Sequence, residues 1–191
     1  QNVRRILEAI RDTGVKYLTL FAFSAENWKR PQDEVDLLMG MLEEFLDEQY
    51  RNLVENQIRF HVVGDLDRLP GSVSAAIQRA IDATAGFTDQ TLSLALNYGS
   101  RQEVAHAVRE IAKAVSRGEI DPDEMDWEAV TPYLHTAGLP DPDLVIRTSG
   151  EYRLSNFLLL QSAYSEFYFS PVCWPDFDAA ELRNAINAYK K

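Results

Sequence analysis

Five short runs rich in apolar and β-branched residues alternate along this chain with longer stretches whose apolar residues recur every three or four positions. Residues 16–23 (KYLTLFAF), 58–63 (IRFHVV), 91–97 (TLSLALN), 144–147 (LVIR) and 166–169 (EFYF) read as strands. Stretches 33–55, 72–85 and 101–117 read as amphipathic helices between them. A strand followed by a helix of that length crosses over before pairing again, so neighbouring strands run parallel. The expectation is the α/β class, with a mostly parallel central sheet covered by helices. There is no internal repeat or linker, and the Pro/Asp-rich stretch 138–143 (GLPDPD) is a turn, so residues 1–191 read as one domain.

The chain carries 30 acidic and 19 basic residues, a formal net charge of −11. That balance argues against a nucleic-acid partner, which needs a basic face to neutralise phosphates. A small anionic ligand is still compatible, because a few clustered arginines reverse the potential locally. Cys173 is the single cysteine, which excludes an intrachain disulfide and a cysteine-built zinc site. The chain therefore reads as intracellular and cytoplasmic. No apolar run has the length of a membrane span, and no signal peptide is visible. A helical stripe is already under way at Gln1, through Val3, Ile6, Leu7 and Ile10 to Gly14, and another runs through Leu182, Ile186 and Tyr189 to Lys191. The expectation is an internal piece of a longer polypeptide.

In open parallel sheets ligands bind beyond the carboxyl ends of the strands. Three such ends carry polar clusters: Ser24–Pro31 (SAENWKRP), 97–101 (NYGSR) and 147–156 (RTSGEYRLSN). Arg147 closes an apolar strand, where a guanidinium is costly to bury without an anion. With Arg153 and the Ser155 hydroxyl it could form a diphosphate cradle, since arginine matches phosphate oxygens bidentately. An ion pair of Arg147 with Asp141 or Asp143 explains it equally well. In the first cluster, Asn27 and Ser24 suit orientation of a ligand or proton acceptor, Arg30 suits a phosphate, and Trp28 suits cover of an apolar chain. Alternatively Trp28 covers the core and Pro31 starts the long helix, with Asp33 and Glu34 at its positive end. Glu166 lies in an aromatic run, where a hard cation such as Mg²⁺ or a salt bridge would account for it. His61, His106 and His135 share no ligand spacing, and Cys173 beside Trp174 reads as a packed small side chain. The stripe Val35, Leu38, Met39, Leu42, Phe45, Leu46 and Leu53 reads either as core or, in part, as the wall of a hydrocarbon cavity. No lysine phosphate loop and no glycine-rich dinucleotide fingerprint occurs.

Residues 21–31 (FAFSAENWKRP), 95–101 (ALNYGSR), 139–159 (LPDPDLVIRTSGEYRLSNFLL) and 164–177 (YSEFYFSPVCWPDF) closely resemble, in the same order, the motifs of bacterial cis-prenyltransferases of the undecaprenyl diphosphate synthase type. The resemblance implies Mg²⁺-dependent condensation of isopentenyl diphosphate with an allylic diphosphate such as farnesyl diphosphate. It further implies a homodimer, with a hydrophobic tunnel beside the sheet for the growing chain. Matched residue by residue, Arg147, Arg153, Leu154 and Ser155 would bind isopentenyl diphosphate, and Asn27 would take part in proton removal. Ser24, Ala25, Glu26, Trp28 and Arg30 would line the substrate site, with Glu34 nearby. Glu166 would be a Mg²⁺ ligand, acting with the partner subunit. Arg147, Arg153 and Glu166 are then expected to meet around one diphosphate. A greasy product makes contact with the inner membrane surface an expectation too. Tyr152 departs from the family pattern and carries no role. The family's aspartate-bearing segment normally lies upstream of residue 1, and its Arg-x-Gly tail lies beyond Lys191. The other reading is therefore a non-catalytic partner subunit without the aspartate loop.

Overall fold

A computed structural model describes residues 2–190; Gln1 and Lys191, where the two terminal stripes begin and end, lie outside the described residues. The order is α1 (Asn2–Ile10), β1 (Tyr17–Ser24), α2 (Gln32–Glu55), β2 (Ile58–Val63), α3 (Gly71–Thr84), β3 (Gln90–Tyr98), α4 (Ser100–Ser116), α5 (Trp127–Val130), β4 (Leu144–Arg147), β5 (Glu166–Phe169) and α6 (Ala179–Tyr189). After α1 a short 3₁₀ turn leads to Gly14, whose φ of 81° reverses the chain.

Every strand pair among the described residues is parallel: helices connect β1 to β2 and β2 to β3, whereas β4 reaches β5 through the helix-free stretch 148–165. The sheet nevertheless comes in two pieces, a three-stranded unit ordered β1-β3-β2 and a two-stranded unit β4-β5. β3 is central and buried on both faces, which explains its long apolar run. On one face Leu92, Leu94 and Leu96 meet a core built with Ile6, Leu7 and Ile10 of α1, Val35, Met39, Leu46 and Leu53 of α2, and Val73 and Ile77 of α3. Phe177 and Leu182 complete that core from the C-terminal end. Each such fully buried side chain contributes about 1.5–3 kcal/mol relative to exposure. A second, smaller cluster joins Ala95 and Tyr98 of β3 with Val63 and Leu158. Gly64, at φ 130°, lies where a Cβ would overlap the Leu96 carbonyl, so the β2 exit can pass β3 only as glycine.

Among the described residues the α2 stripe packs into the core. One cavity of about 260 Å³ lies under Trp127, Leu134 and Leu139, and another of about 70 Å³ lies between β5 and α6.

Candidate active site

The chain leaves β1 through a 3₁₀ turn, Ala25–Lys29, that caps itself. The Glu26 N–H donates to Ser24 Oγ at 3.1 Å, and the Ser24 N–H donates to Asn27 Oδ1 at 2.8 Å. This reciprocal box orients Asn27 through its carbonyl and leaves its amide hydrogens without a protein acceptor among the described residues. Trp28 donates from Nε1 to Asn97 Oδ1 at 2.7 Å, meets Phe23 edge-on, and lies under the Arg68 guanidinium, 4.7 Å from the ring centroid. Its indole is thereby fixed against the protein. Arg30 makes only an exposed i,i+4 contact with Glu34 at 3.4 Å, weak enough to yield to an anion. Ala25 contributes backbone to the turn.

Arg147 ends β4. Its Nε is buried and has no acceptor, and no described carboxylate pairs with it, so the ion pair with Asp141 or Asp143 does not form. The loop beyond it is strained: Ser149 (φ 69°), Ser155 (52°), Asn156 (65°) and Leu158 (45°) are left-handed without being glycine. Such conformations cost about 1–3 kcal/mol each, persist only where surroundings enforce them, and cluster at ligand clamps. Arg153 is exposed and paired with Glu151. Leu154 is half-buried and Ser155 exposed.

The loop's enforcement comes from the start of α4. Ser100 and Arg101 donate their N–H groups to the Asn156 carbonyl and to Asn156 Oδ1, at 2.8 and 3.0 Å. The Leu159 N–H donates to Ser100 Oγ at 2.8 Å. Asn156 Nδ2 donates to Glu26 Oε1 and to Gln102 Oε1, each at 2.9 Å. Glu26 also accepts from the Ser24 hydroxyl and from Gln102. The Ser24 hydrogen bond, ahead of opposing burial, holds its carboxyl below the usual range. The turn after β1 and the loop after β4 are thus joined, which brings Ser24, Glu26 and Ser155 into one region. Behind the joint, fully buried Glu103 accepts from Tyr98 OH (2.6 Å), Gln161 Nε2 (3.1 Å) and the His135 N–H (2.9 Å). Burial, with the hydrogen bond to Glu103, pushes the Tyr98 hydroxyl pKa far up.

Glu166 does not join this group. In the parallel β4–β5 register Glu166 faces Leu144, whereas Arg147 faces Phe169. The carboxylate stands at the amino end of its strand, three residue steps or about 10 Å from the level of Arg147. The strand register thus places the backbones of Arg147 and Glu166 at opposite ends of the β4–β5 pair. The described residues include no cluster of three His, Cys, Asp or Glu side chains able to hold a metal. One exposed carboxylate still suits Mg²⁺, which keeps several waters and takes other ligands from substrate phosphates. Sequence reasoning assigned no role to Asn156, Gly99 or Glu103. The signal for Gly99 and Asn156 was that 97–101 and 147–156 follow strand ends without resembling ordinary turns, and Glu103 carried none.

A family model described as "Putative undecaprenyl diphosphate synthase" matches residues 1–191. An isoprenyl transferase of Geobacter sulfurreducens is 50% identical over 190 residues, spanning 100% of this chain and 77% of that protein. One from Clostridium perfringens is 46% identical, spanning 100% of this chain and 75% of its own. Lavandulyl diphosphate synthase from Lavandula x intermedia, solved in complex with dimethylallyl diphosphate, superposes with a TM-score of 0.95 at 38% identity, over 99% of this chain and 82% of its own. A probable undecaprenyl diphosphate synthase from Campylobacter jejuni gives 0.86 at 32% identity, over 100% and 87%.

Proposed function

Since the chain belongs to the undecaprenyl diphosphate synthase family of isoprenyl transferases, we propose that it condenses isopentenyl diphosphate with an allylic diphosphate, of the farnesyl type, to extend a cis-polyprenyl diphosphate. In that reaction the allylic carbon–oxygen bond breaks, a carbon–carbon bond forms to isopentenyl diphosphate, and a proton leaves the latter as pyrophosphate departs. The observation that carries the reading is Arg147, a guanidinium at a strand's carboxyl end with a buried, unsatisfied Nε. A diphosphate oxygen is the acceptor such a donor lacks. Arg153, on the same loop, exchanges Glu151 for the same anion, assisted by the Ser155 hydroxyl and the Leu154 backbone. Ser24 and Asn27, with Arg30, Trp28 and the Ala25–Glu26 backbone, orient the allylic partner and the departing proton. Mg²⁺, when bound, would neutralise charge on the leaving diphosphate, with Glu166 as one ligand.

Exposed Phe167 and Phe169 on one face of β5, with Tyr152 beside Phe169 at 5.2 Å, leave an aromatic patch uncovered. That patch supports the homodimer, which would also supply a second chain beside Glu166. No helix among the described residues is long and apolar enough to cross a membrane. The growing hydrocarbon makes the inner membrane surface the place where product would leave. The test incubates full-length protein with farnesyl and isopentenyl diphosphates, with and without Mg²⁺, measuring pyrophosphate release and product length. Metal-dependent release with chains lengthened by five-carbon steps is the expected result. Folded protein that binds isopentenyl diphosphate yet releases no pyrophosphate would overturn the reading in favour of a non-catalytic partner subunit.

A further inference from the structure

We propose that Asn156 is a positioning residue that fastens the loop carrying Arg153 and Ser155 to the start of α4 and to the Ser24–Lys29 turn, holding both halves of the diphosphate site at one separation. The cluster at 97–101, which the reaction leaves without a task, is the receiver of this joint. The cap position of helix α4 is Gly99, which has no side chain to serve as a cap. The helix's first two N–H groups bond instead to the Asn156 carbonyl and Oδ1, so the cap comes from a loop far along the chain. A Cβ on residue 99 would overlap Gln102 Oε1 and stand 2.5 Å from Asn156 Nδ2, so glycine leaves these two side-chain ends room to meet. Its φ of −166° is ordinary extended backbone.

Residue 156 must also sit at φ 65°, a left-handed conformation that asparagine accepts better than most. Both its amide hydrogens are engaged, one by Glu26 Oε1 and one by Gln102 Oε1. An amide with two donors engaged and its oxygen on a backbone N–H has little left for a substrate. The side chain therefore acts through its neighbours. Transfer between two diphosphates depends on their relative placement, so a joint between the loops that hold them bears on affinity and rate.

The consequence for catalysis rests on the prenyl-transfer reading; the joint rests on hydrogen bonds alone. Three variants of the full-length protein test it. Asn156→Gly accepts φ 65° but has no side chain, and Asn156→Asp retains the acceptor for Arg101 while opposing a carboxylate to Glu26. The pair Glu26→Gln with Asn156→Asp reverses donor and acceptor, because the new amide at position 26 can donate to the new carboxylate at position 156. Both single variants stay folded by circular dichroism, amide exchange over 153–159 rises, and KM for isopentenyl diphosphate rises about tenfold or more. The reversed pair recovers most of that loss. Unchanged exchange in both single variants, or raised exchange with unaltered KM, overturns the proposal. If wild type shows no turnover, the prenyl-transfer reading fails by itself. The joint is then judged from inorganic pyrophosphate affinity by calorimetry, where weakened binding in Asn156→Gly supports it and unchanged binding overturns it.

Discussion

Arg147→Met separates the two things an arginine at a strand end can do. The substitution keeps an apolar stem of similar length while removing the guanidinium. In the unliganded fold that guanidinium has a buried Nε with no acceptor and no carboxylate partner among the described residues. A desolvated, unsatisfied donor costs about 1–3 kcal/mol, so the variant gains stability or at worst keeps it. For a domain of this size each kcal/mol moves Tm by about 2–4 °C, so the expected change runs from zero to several degrees upward. In the proposed reaction a diphosphate would supply the missing acceptor, and hydrogen bonds to charged groups contribute about 1.5–3 kcal/mol. Losing them raises KM for isopentenyl diphosphate by about 10- to 150-fold, with kcat less affected. Thermal unfolding with and without isopentenyl diphosphate, together with steady-state kinetics, measures both quantities. The substrate-induced rise in Tm should shrink as KM rises. Arg147→Ala follows the same pattern, with some stability lost through the missing stem. A variant that melts well below wild type while keeping its KM would show that the guanidinium serves the fold, and the reasoning would fail.

Thr84→Val tests how β2 is satisfied at its open edge. The buried Thr84 hydroxyl accepts from the Phe60 N–H at 2.9 Å and donates to the Ala80 carbonyl at 2.7 Å, so the variant strands a buried N–H. A loss of about 1–3 kcal/mol in urea unfolding is expected, with KM unchanged; wild-type stability would contradict it. Acid should weaken the fold earlier than carboxylates alone would. Burial holds both His61 and His135 below the ordinary histidine pKa, aided at His61 by Arg59. The unfolded chain therefore binds protons first, and stability falls as pH drops below about 6.5. Urea midpoints between pH 7.5 and 5.5 should decline, and less steeply in His61→Gln; a flat profile refutes this.

The strands were readable because each is a short apolar run with clear limits, and 58–63, 144–147 and 166–169 fall where expected. Helix starts were read one residue late at 33, 72 and 101 against Gln32, Gly71 and Ser100. The reason is physical: Pro31, Pro70 and Gly99 stand at these caps, and none offers a side-chain oxygen as the usual local signal. The α4 cap could not be read at all, since Asn156 reaches it only through the fold. The split of the sheet was equally hidden, because residue patterns show which segments extend but not which neighbour each finds. At the site, Arg147 was legible as a charge at an apolar strand's end. Its two explanations separated only when the absence of an ion-pair partner became visible.

Strand polarity decides how the predicted residues can work together. β1, β3 and β4 end at Ser24, Tyr98 and Arg147; Ser24 lies beside Tyr98 in the register, and Asn156 ties the loop after β4 to both ends. The crevice beyond such carboxyl ends is where an α/β sheet generally binds its ligand. Glu166 begins β5 at the opposite end of the β4–β5 pair, against Leu144 and the α6 residues Ala185 and Tyr189. One diphosphate cannot easily span both ends of that pair within a single chain. If Glu166 serves the reaction, it does so across a twofold interface, and subunit mixing reveals it. Assayed with isopentenyl diphosphate well below the wild-type KM, where a raised KM is felt in full, Arg147→Met and Glu166→Gln are each expected to be nearly inactive as homodimers. After co-refolding at equal concentration, half the dimers are mixed, and a shared site leaves each mixed dimer one intact copy, so about a quarter of wild-type activity returns. Sites contained within one chain would give no recovery, and a Glu166→Gln homodimer with full activity would remove the carboxylate from the reaction altogether.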